Sequence, residues 1–150
     1  DGLVSVPGNV PRVITVGAST QEQTVWVNSS SGSQTLSDGT LRQSPHLKPE
    51  VIAPGENIIS TGSGDRWYSS SGTSDSTVFV TGALSLILEA YPSFKPTSDS
   101  NGDCIDLVKN SLKDTSLRYQ LTVEHDNRWG YGQLQAFDWF QDLAAQSTNC

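Results

Sequence analysis

The sequence predicts an α/β fold in which short parallel strands pack against helices. Two runs rich in β-branched residues, 12–17 and 51–55, are typical of strands buried in a parallel sheet. A long apolar run at 78–90 leaves no polar face of useful width, so it predicts a central helix that is buried all round. Buried strands together with an apolar helix indicate a layered α/β core.

The composition limits the classes of partner. The 150 residues are 35% hydrophobic, which is enough apolar material for one globular domain with its own core. Its 16 acidic and 9 basic residues give a formal charge of −7, and this balance argues against nucleic acid or an anionic membrane as a partner. No run approaches the roughly 18 apolar residues of a membrane span. We expect one soluble domain with no nucleic-acid and no membrane partner.

The segments between these elements are mostly polar. Residues 19–43 carry clusters of Ser, Asn, Asp and Gly that predict a surface loop, in which Trp26 between two valines is more typical of the core than of a ligand groove. Residues 57–61 and 67–70 predict a hairpin whose turn is rich in glycine. This hairpin leads the chain directly to Ser74.

The last third of the chain predicts two further helices. Oxygen-bearing side chains at 99–103 could begin a calcium loop, but the glycine and the later glutamate of a full loop are missing. We expect a turn there, with Asp103 capping a helix at 104–112. A strand is predicted at 117–123, and a last helix carries the apolar residues Leu134, Phe137, Phe140 and Leu143. No cofactor is certain, and structural calcium stays open.

The candidate nucleophile is Ser74, at the end of Ser71-Gly72-Thr73-Ser74. Small residues allow a sharp turn, and the serine then lies in the first turn of the helix. There, free backbone N–H groups and the positive end of the helix dipole favour developing negative charge. On these four residues alone, the alternative that Ser74 is only a helix N-cap stays open.

Four segments of the chain resemble the subtilisin-like serine proteases (subtilases) and follow that family's order. They are Pro7-Gly8-Asn9-Val10-Pro11 and its continuation to Ala18, Lys48-Pro49-Glu50 and its continuation to Ile58, Ser71-Gly72-Thr73-Ser74, and Gly130-Tyr131-Gly132. The resemblance covers nearly the whole chain but only the C-terminal half of the family's catalytic domain. It implies an α/β fold, the C-terminal half of a doubly wound parallel sheet with flanking helices, completed by an N-terminal segment of the same precursor.

The resemblance also implies a function. Ser74 would be the nucleophile of a serine endopeptidase that cleaves protein or peptide substrates through an acyl-enzyme, with its own N–H as an oxyanion donor. The Thr73 hydroxyl would be a secondary donor, while Gly8 and Asn9 would shape the substrate pocket. The triad His and Asp and the oxyanion Asn would come from the N-terminal segment, so residues 1–150 would be one domain that is stable only with that segment.

The sequence departs from the family's pattern beside the serine. Asp75 follows where the family has a small residue or Met, and Val78 and Phe79 replace a Pro-His pair. We expect Asp75 to face solvent at the helix start. Neither His46 nor His125 sits in a Gly-flanked helix start, and His125 is predicted to lie in a solvated loop. The alternative is therefore a non-catalytic subtilase-like structural or binding module.

The cysteines indicate an oxidising compartment. Cys104 and Cys150, a polar composition and the sequon at Asn28 together suggest a secreted protein with one disulfide, although two free thiols stay open. The chain has no methionine, so we expect Asp1 to arise by proteolytic processing or trimming.

Overall fold

The computed structural model describes residues 2–96, 102–118, 122–147 and 150. It contains, in order, β1 (Val16–Ser19), β2 (Val51–Pro54), β3 (Ile58–Gly62), β4 (Arg66–Ser70), α1 (Thr73–Ala90), a 3-10 turn (Pro92–Phe94), α2 (Asp103–Thr115) and α3 (Ala136–Gln146). None of the described helices combines the length and the apolarity needed to cross a bilayer.

The predicted parallel pairing is confirmed, although the first strand begins later than predicted. β1 pairs with β2 in parallel, from Val16 opposite Val51 to Ser19 opposite Pro54. The sequence predicts a start at residue 12. Segment 11–15 is not a strand because side chains bind its backbone: the Lys48 ammonium donates to the Val13 carbonyl, and the Thr15 amide donates to the Glu50 carboxylate.

The predicted hairpin is confirmed. β3 and β4 pair antiparallel, from Ile58 opposite Ser70 to Gly62 opposite Arg66. Asp65 and Gly64 in the turn both have positive φ, at 53° and 72°, and glycine adopts such a conformation without a steric cost. Only residues 71 and 72 separate β4 from α1, so the hairpin leads directly to the Ser74 turn, as predicted.

The core lies between the parallel pair and the helices. Buried apolar side chains from β1, β2, the three helices and the 3-10 turn form one cluster, comprising Val16, Val51, Ala53, Val80, Ile87, Phe94, Val108, Leu112, Trp139 and Leu143. The Trp139 indole donates to the Val108 carbonyl at 3.2 Å, so its polar atom is satisfied inside the core. The predicted disulfide between Cys104 and Cys150 is formed and ties α2 to the last residue.

The prediction that α1 is buried all round is wrong for this chain. Val78, Phe79 and Leu86 are 69%, 44% and 64% exposed, and only Ser76, Val80 and Ile87 of the helix are buried. β1 and β2 cover one side of the helix, and no described element covers the opposite side.

Three smaller predictions need correction. Gly102, with φ at 89°, is the N-cap of α2, and Asp103 is its first helical residue rather than its cap. Leu117 forms only an isolated bridge with Gln133 and begins no strand. Trp26 is half-buried rather than part of the core cluster. Residues 99–101 of the candidate calcium segment and residues 119–121 of the predicted strand lie outside the described residues.

Candidate active site

Ser74 lies on the first turn of α1, and its side chain is exposed. Gly72 is the N-cap, and its carbonyl accepts from the amides of Asp75 at 3.1 Å and Ser76 at 3.4 Å. The amide of Ser74 precedes these two and belongs to the first-turn N–H groups that have no intrahelical acceptor. Both the hydroxyl and this amide of Ser74 can therefore meet a ligand.

The position of the Ser74 turn depends on close contact with the end of β2. The Gly72 amide donates to the Gly55 carbonyl at 2.7 Å. A Cβ atom on Gly55 would lie 2.1 Å from the Ser76 hydroxyl oxygen and 2.8 Å from the Gly72 carbonyl oxygen. Only glycine at 55 allows the turn to approach the parallel strands this closely.

A cleft of about 540 Å³ opens beside Ser74. Thr73, Ser74 and Thr77 line one side of it, and Gly8 lines it together with other residues of segments 3–8 and 13–16. The structure thus brings Ser74, Thr73 and Gly8 to one cleft. Asn9 lies outside it and lines an adjacent depression of about 340 Å³.

Segment 8–15, in which Gly8 and residues 13–15 line the cleft, is called the cleft wall here. Side chains bind its backbone at nearly every second residue. The Thr15 hydroxyl donates to the Gly8 carbonyl at 2.5 Å, and the buried Arg42 guanidinium donates to the Asn9 carbonyl at 2.6 Å. Lys48, Glu50 and Lys109 hold the remainder through bonds to Pro11, Val13 and Thr15. Sequence reasoning missed all four charged residues.

Burial dominates the electrostatics of this wall. It lowers the pKa of Lys48 from 10.5 to about 8, although the charge of Glu50 opposes the shift. Burial likewise lowers the pKa of Lys109, again against the attraction of Glu50.

Asp75 does not face solvent as predicted. Its side chain is half-buried and accepts a hydrogen bond from the Ser70 hydroxyl at 2.5 Å. This bond turns the carboxylate toward the end of β4, so the residue after Ser74 connects the hairpin to the start of α1. Its location in the first turn, where negative charge complements the helix dipole, is as expected.

Both histidines are engaged with other parts of the chain. The His46 Nε2 atom lies 3.5 Å from the Asp106 carboxylate, and burial is the main cause of its lowered pKa. His125 is half-buried, not solvated as predicted: its Nε2 atom is 2.9 Å from the Pro49 carbonyl, its ring packs edge-on against Tyr131, and burial lowers its pKa. Within the described residues, no group of three or more His, Cys, Asp or Glu side chains could hold a metal ion.

Comparisons with known proteins identify the family of the chain. The sequence model of the subtilase family matches residues 2–132. Serine protease AprX of Bacillus subtilis is 29% identical over 147 residues, covering 89% of this chain and 30% of AprX. The subtilisin-like protease SBT2.3 of Arabidopsis thaliana is 29% identical over 101 residues, which are 61% of this chain and 12% of that protein.

Solved structures share the fold. The CspB protease of Clostridium perfringens has a TM-score of 0.72 at 24% identity, covering 93% of this chain and 28% of that one. The patellamide maturation protease PatA has a TM-score of 0.68 at 24% identity, over 96% of this chain and 48% of that one. The chain therefore spans less than half the length of the relatives and structures named here, and it belongs to the subtilase family.

Proposed function

We propose that this chain is the C-terminal part of a serine endopeptidase that hydrolyses peptide bonds through an acyl-enzyme on Ser74. The observation that carries the proposal is an exposed serine on the first turn of a helix, beside a cleft, in a chain of the subtilase family. A protein or peptide substrate would lie in the cleft, so that Gly8 contacts it from the wall. Asn9 would act from the adjacent depression, through the shape of the wall.

The reaction follows from these positions. The Ser74 hydroxyl attacks the carbonyl carbon of the peptide bond while a base takes its proton. The amide of Ser74 and the start of α1 then stabilise the oxyanion, with the Thr73 hydroxyl as a second donor. The base returns the proton to the leaving amine, and water hydrolyses the ester and restores the serine.

The base must come from elsewhere. His46 lies beside the Asp106 carboxylate and the His125 ring nitrogen contacts the Pro49 carbonyl, so neither is placed as a partner of Ser74. We therefore assign the triad His and Asp and the oxyanion Asn to an N-terminal segment of the same precursor.

An uncovered apolar face supports such a segment. Ala83 and Leu86 of α1 and Ala136, Phe137 and Phe140 of α3 line a depression of about 510 Å³. We refer to these five residues as the apolar face. Apolar surface of this kind gains roughly 25 cal/mol for each Å² removed from water, which favours a covering layer. The chain also covers only 30% of AprX and 48% of the PatA structure, so both of those proteins contain further segments.

We further propose that the protein is secreted. The disulfide between Cys104 and Cys150 is the observation behind this step, because such bonds persist mainly in oxidising compartments. Asn28 of the sequon is exposed and accessible to a glycan. Recovery of the oxidised protein from the culture medium would support secretion, and confinement of a reduced form to the cytosol would contradict it.

A non-catalytic subtilase-like module is the second candidate. The Asp75 carboxylate, one residue from Ser74, is the observation that favours it, since negative charge near an oxyanion opposes its formation. Such a module would bind proteins without cleaving them.

Labelling with a fluorophosphonate separates the two candidates. The complete protein, purified from its source, would be treated with the probe beside a Ser74→Ala variant, and the adduct located by peptide mapping. We expect an adduct on Ser74, none in the variant, and an N-terminal segment that copurifies. Folded protein that takes up no probe would support the non-catalytic module instead.

A further inference from the structure

Three charged side chains lie buried together behind the cleft wall. The ammonium groups of Lys48 and Lys109 approach the same Glu50 oxygen, Oε1, at 2.7 Å and 2.6 Å. All three side chains are almost completely shielded from water. We call them the lysine cluster. Two cations against one carboxylate leave an excess positive charge, which is costly in a dry interior unless other groups solvate it.

Backbone carbonyls of the wall supply that solvation. The Lys48 ammonium donates to the Val13 carbonyl at 2.5 Å and approaches the Pro11 carbonyl at 3.4 Å. The Lys109 ammonium binds the same two carbonyls, with the Pro11 bond the shorter and the Val13 oxygen at 3.4 Å. Each lysine therefore bridges one carboxylate oxygen and the same stretch of backbone.

Glu50 holds the next residue of the wall through its other oxygen. Its Oε2 atom accepts from the Thr15 amide at 2.7 Å, while its own amide donates to the Thr15 carbonyl. The Thr15 hydroxyl in turn donates to the Gly8 carbonyl. The lysine cluster is thus connected through Thr15 to Gly8, which lines the cleft with Ser74.

A second contact ties the same segment to α2. The Arg12 guanidinium lies 3.1 Å from the Asp106 carboxylate, one helical turn before Lys109. This ion pair is partly exposed and contributes little by itself. The lysine cluster attaches the same segment to α2 at a buried position, through Lys109.

We propose that Lys48, Glu50 and Lys109 are positioning residues that fix the wall of the substrate cleft relative to Ser74. This inference rests on the proposed protease function. None of the three lines the cleft, so their effect on substrate passes through the backbone of 11–15. A displaced wall would weaken the contacts that it makes with bound substrate, while Ser74 stays in place.

Lys109→Met in the complete protein tests the proposal, with the exposed Lys95→Met as the matched control. We expect KM for an extended peptide to rise about tenfold in the Lys109 variant, with kcat little changed, since the wall binds substrate away from the reacting bond and leaves Ser74 untouched. The rate of labelling by a small fluorophosphonate should stay the same, because that probe does not need the wall. An unchanged KM, or equal losses in kcat and labelling, would overturn the proposal.

Thr15→Val is a second variant that keeps all buried charges. It removes the hydroxyl that holds the Gly8 carbonyl and leaves the Thr15 amide bonded to Glu50. We expect a smaller rise in KM, about threefold, again with unchanged labelling of Ser74. If the Lys109 variant does not fold, Thr15→Val alone tests the proposal. An unchanged KM in Thr15→Val would then contradict the role of the wall as a positioning element.

Hydrogen exchange separates failure of this inference from failure of the protease function. If wild-type protein takes up no fluorophosphonate, the proposed function fails, yet the Thr15 amide can still be followed. We expect this amide to exchange at least tenfold faster in Lys109→Met than in wild type or Lys95→Met. Equal exchange in all three proteins would show that the lysine cluster does not hold the wall.

Discussion

The lysine cluster and the apolar face differ in how many of their contact partners this chain supplies. Every charge in the cluster finds its partner among residues of the same chain: Glu50 binds both lysines, and wall carbonyls accept their remaining donors. On the apolar face, by contrast, Leu86 and Phe137 remain 64% and 69% exposed. The described residues supply the contacts of the lysine cluster, whereas they leave much of the apolar face exposed.

The physical difference between the two kinds of contact accounts for this division. A buried ion costs several kcal/mol unless its hydrogen bonds are all made with good geometry, so its partners are best placed by one chain. Apolar contact is not directional, and another segment can supply it later. If an N-terminal segment covers the apolar face, as proposed, the two segments meet through apolar contacts, and no charge of the lysine cluster depends on that meeting.

Removing the Glu50 carboxylate should have the largest effect on the stability of the protein. In Glu50→Gln, two buried ammonium groups lose their counter-charge, and we expect the free energy of unfolding of the complete protein to fall by about 3–5 kcal/mol. Denaturant unfolding measures it, with the exposed Glu89→Gln as the control. A loss below about 0.5 kcal/mol, the range of ordinary surface substitutions, would mean that the cluster is not a unit.

Leu86→Ala tests the apolar face and should have the second largest effect on stability. Leu86 is exposed here, but the proposed N-terminal segment would bury it in the complete protein. We therefore expect a loss of about 2 kcal/mol in the unfolding free energy, as for a buried leucine. Glu89→Ala on the same helix is the control. If Leu86→Ala is neutral in the complete protein, nothing covers the apolar face.

The pH dependence of stability should report the lysine cluster directly. Burial, opposed by Glu50 and aided by the charges of Lys109 and Arg42, lowers the pKa of Lys48 from 10.5 to about 8. Between these two values the unfolded chain binds more protons than the folded one. The penalty for a charged, buried lysine is thus fully present below pH 8 and is relieved as the pH rises.

We therefore expect Lys48 to make the complete protein about 1 kcal/mol more stable at pH 9 than at pH 8, relative to a Lys48→Met variant. Denaturant unfolding of both proteins at the two pH values gives the difference. Equal pH slopes for the two proteins would contradict the lowered pKa.

The same comparison explains what sequence reasoning could predict. The parallel strand pair, the hairpin and the Ser74 turn follow from local pattern, and each was predicted with small errors in its bounds. The late start of β1 could not be, because Lys109 binds the Pro11 carbonyl across 98 positions of sequence. No local periodicity encodes such a contact. The one signal for these contacts in the sequence is that Lys48 and Glu50 flank Pro49 in a segment that resembles the family.

The exposure of α1 has a different origin. The all-apolar pattern of 78–90 predicts burial, but it does not say which elements pack against the helix, and under our proposal the N-terminal segment would cover its exposed side. Asp75 shows a third kind of limit. Its position at the helix start was predictable, but its bond to Ser70 depends on how closely β4 approaches α1, which no spacing reveals.

Trp67→Ser should have the smallest effect on stability, and it tests whether exposed apolar residues outside the apolar face are also covered. Trp67 is 73% exposed, more than Leu86, yet it lies on the β3–β4 hairpin and not on the apolar face. It pairs across the hairpin with Thr61, and such a pair contributes roughly 0.2–1 kcal/mol. We expect a loss in this range in the complete protein, measured by the same unfolding experiment. A loss as large as that of Leu86→Ala would mean that the covering segment extends over the hairpin, and that exposure in this chain marks one continuous surface rather than a helix face alone.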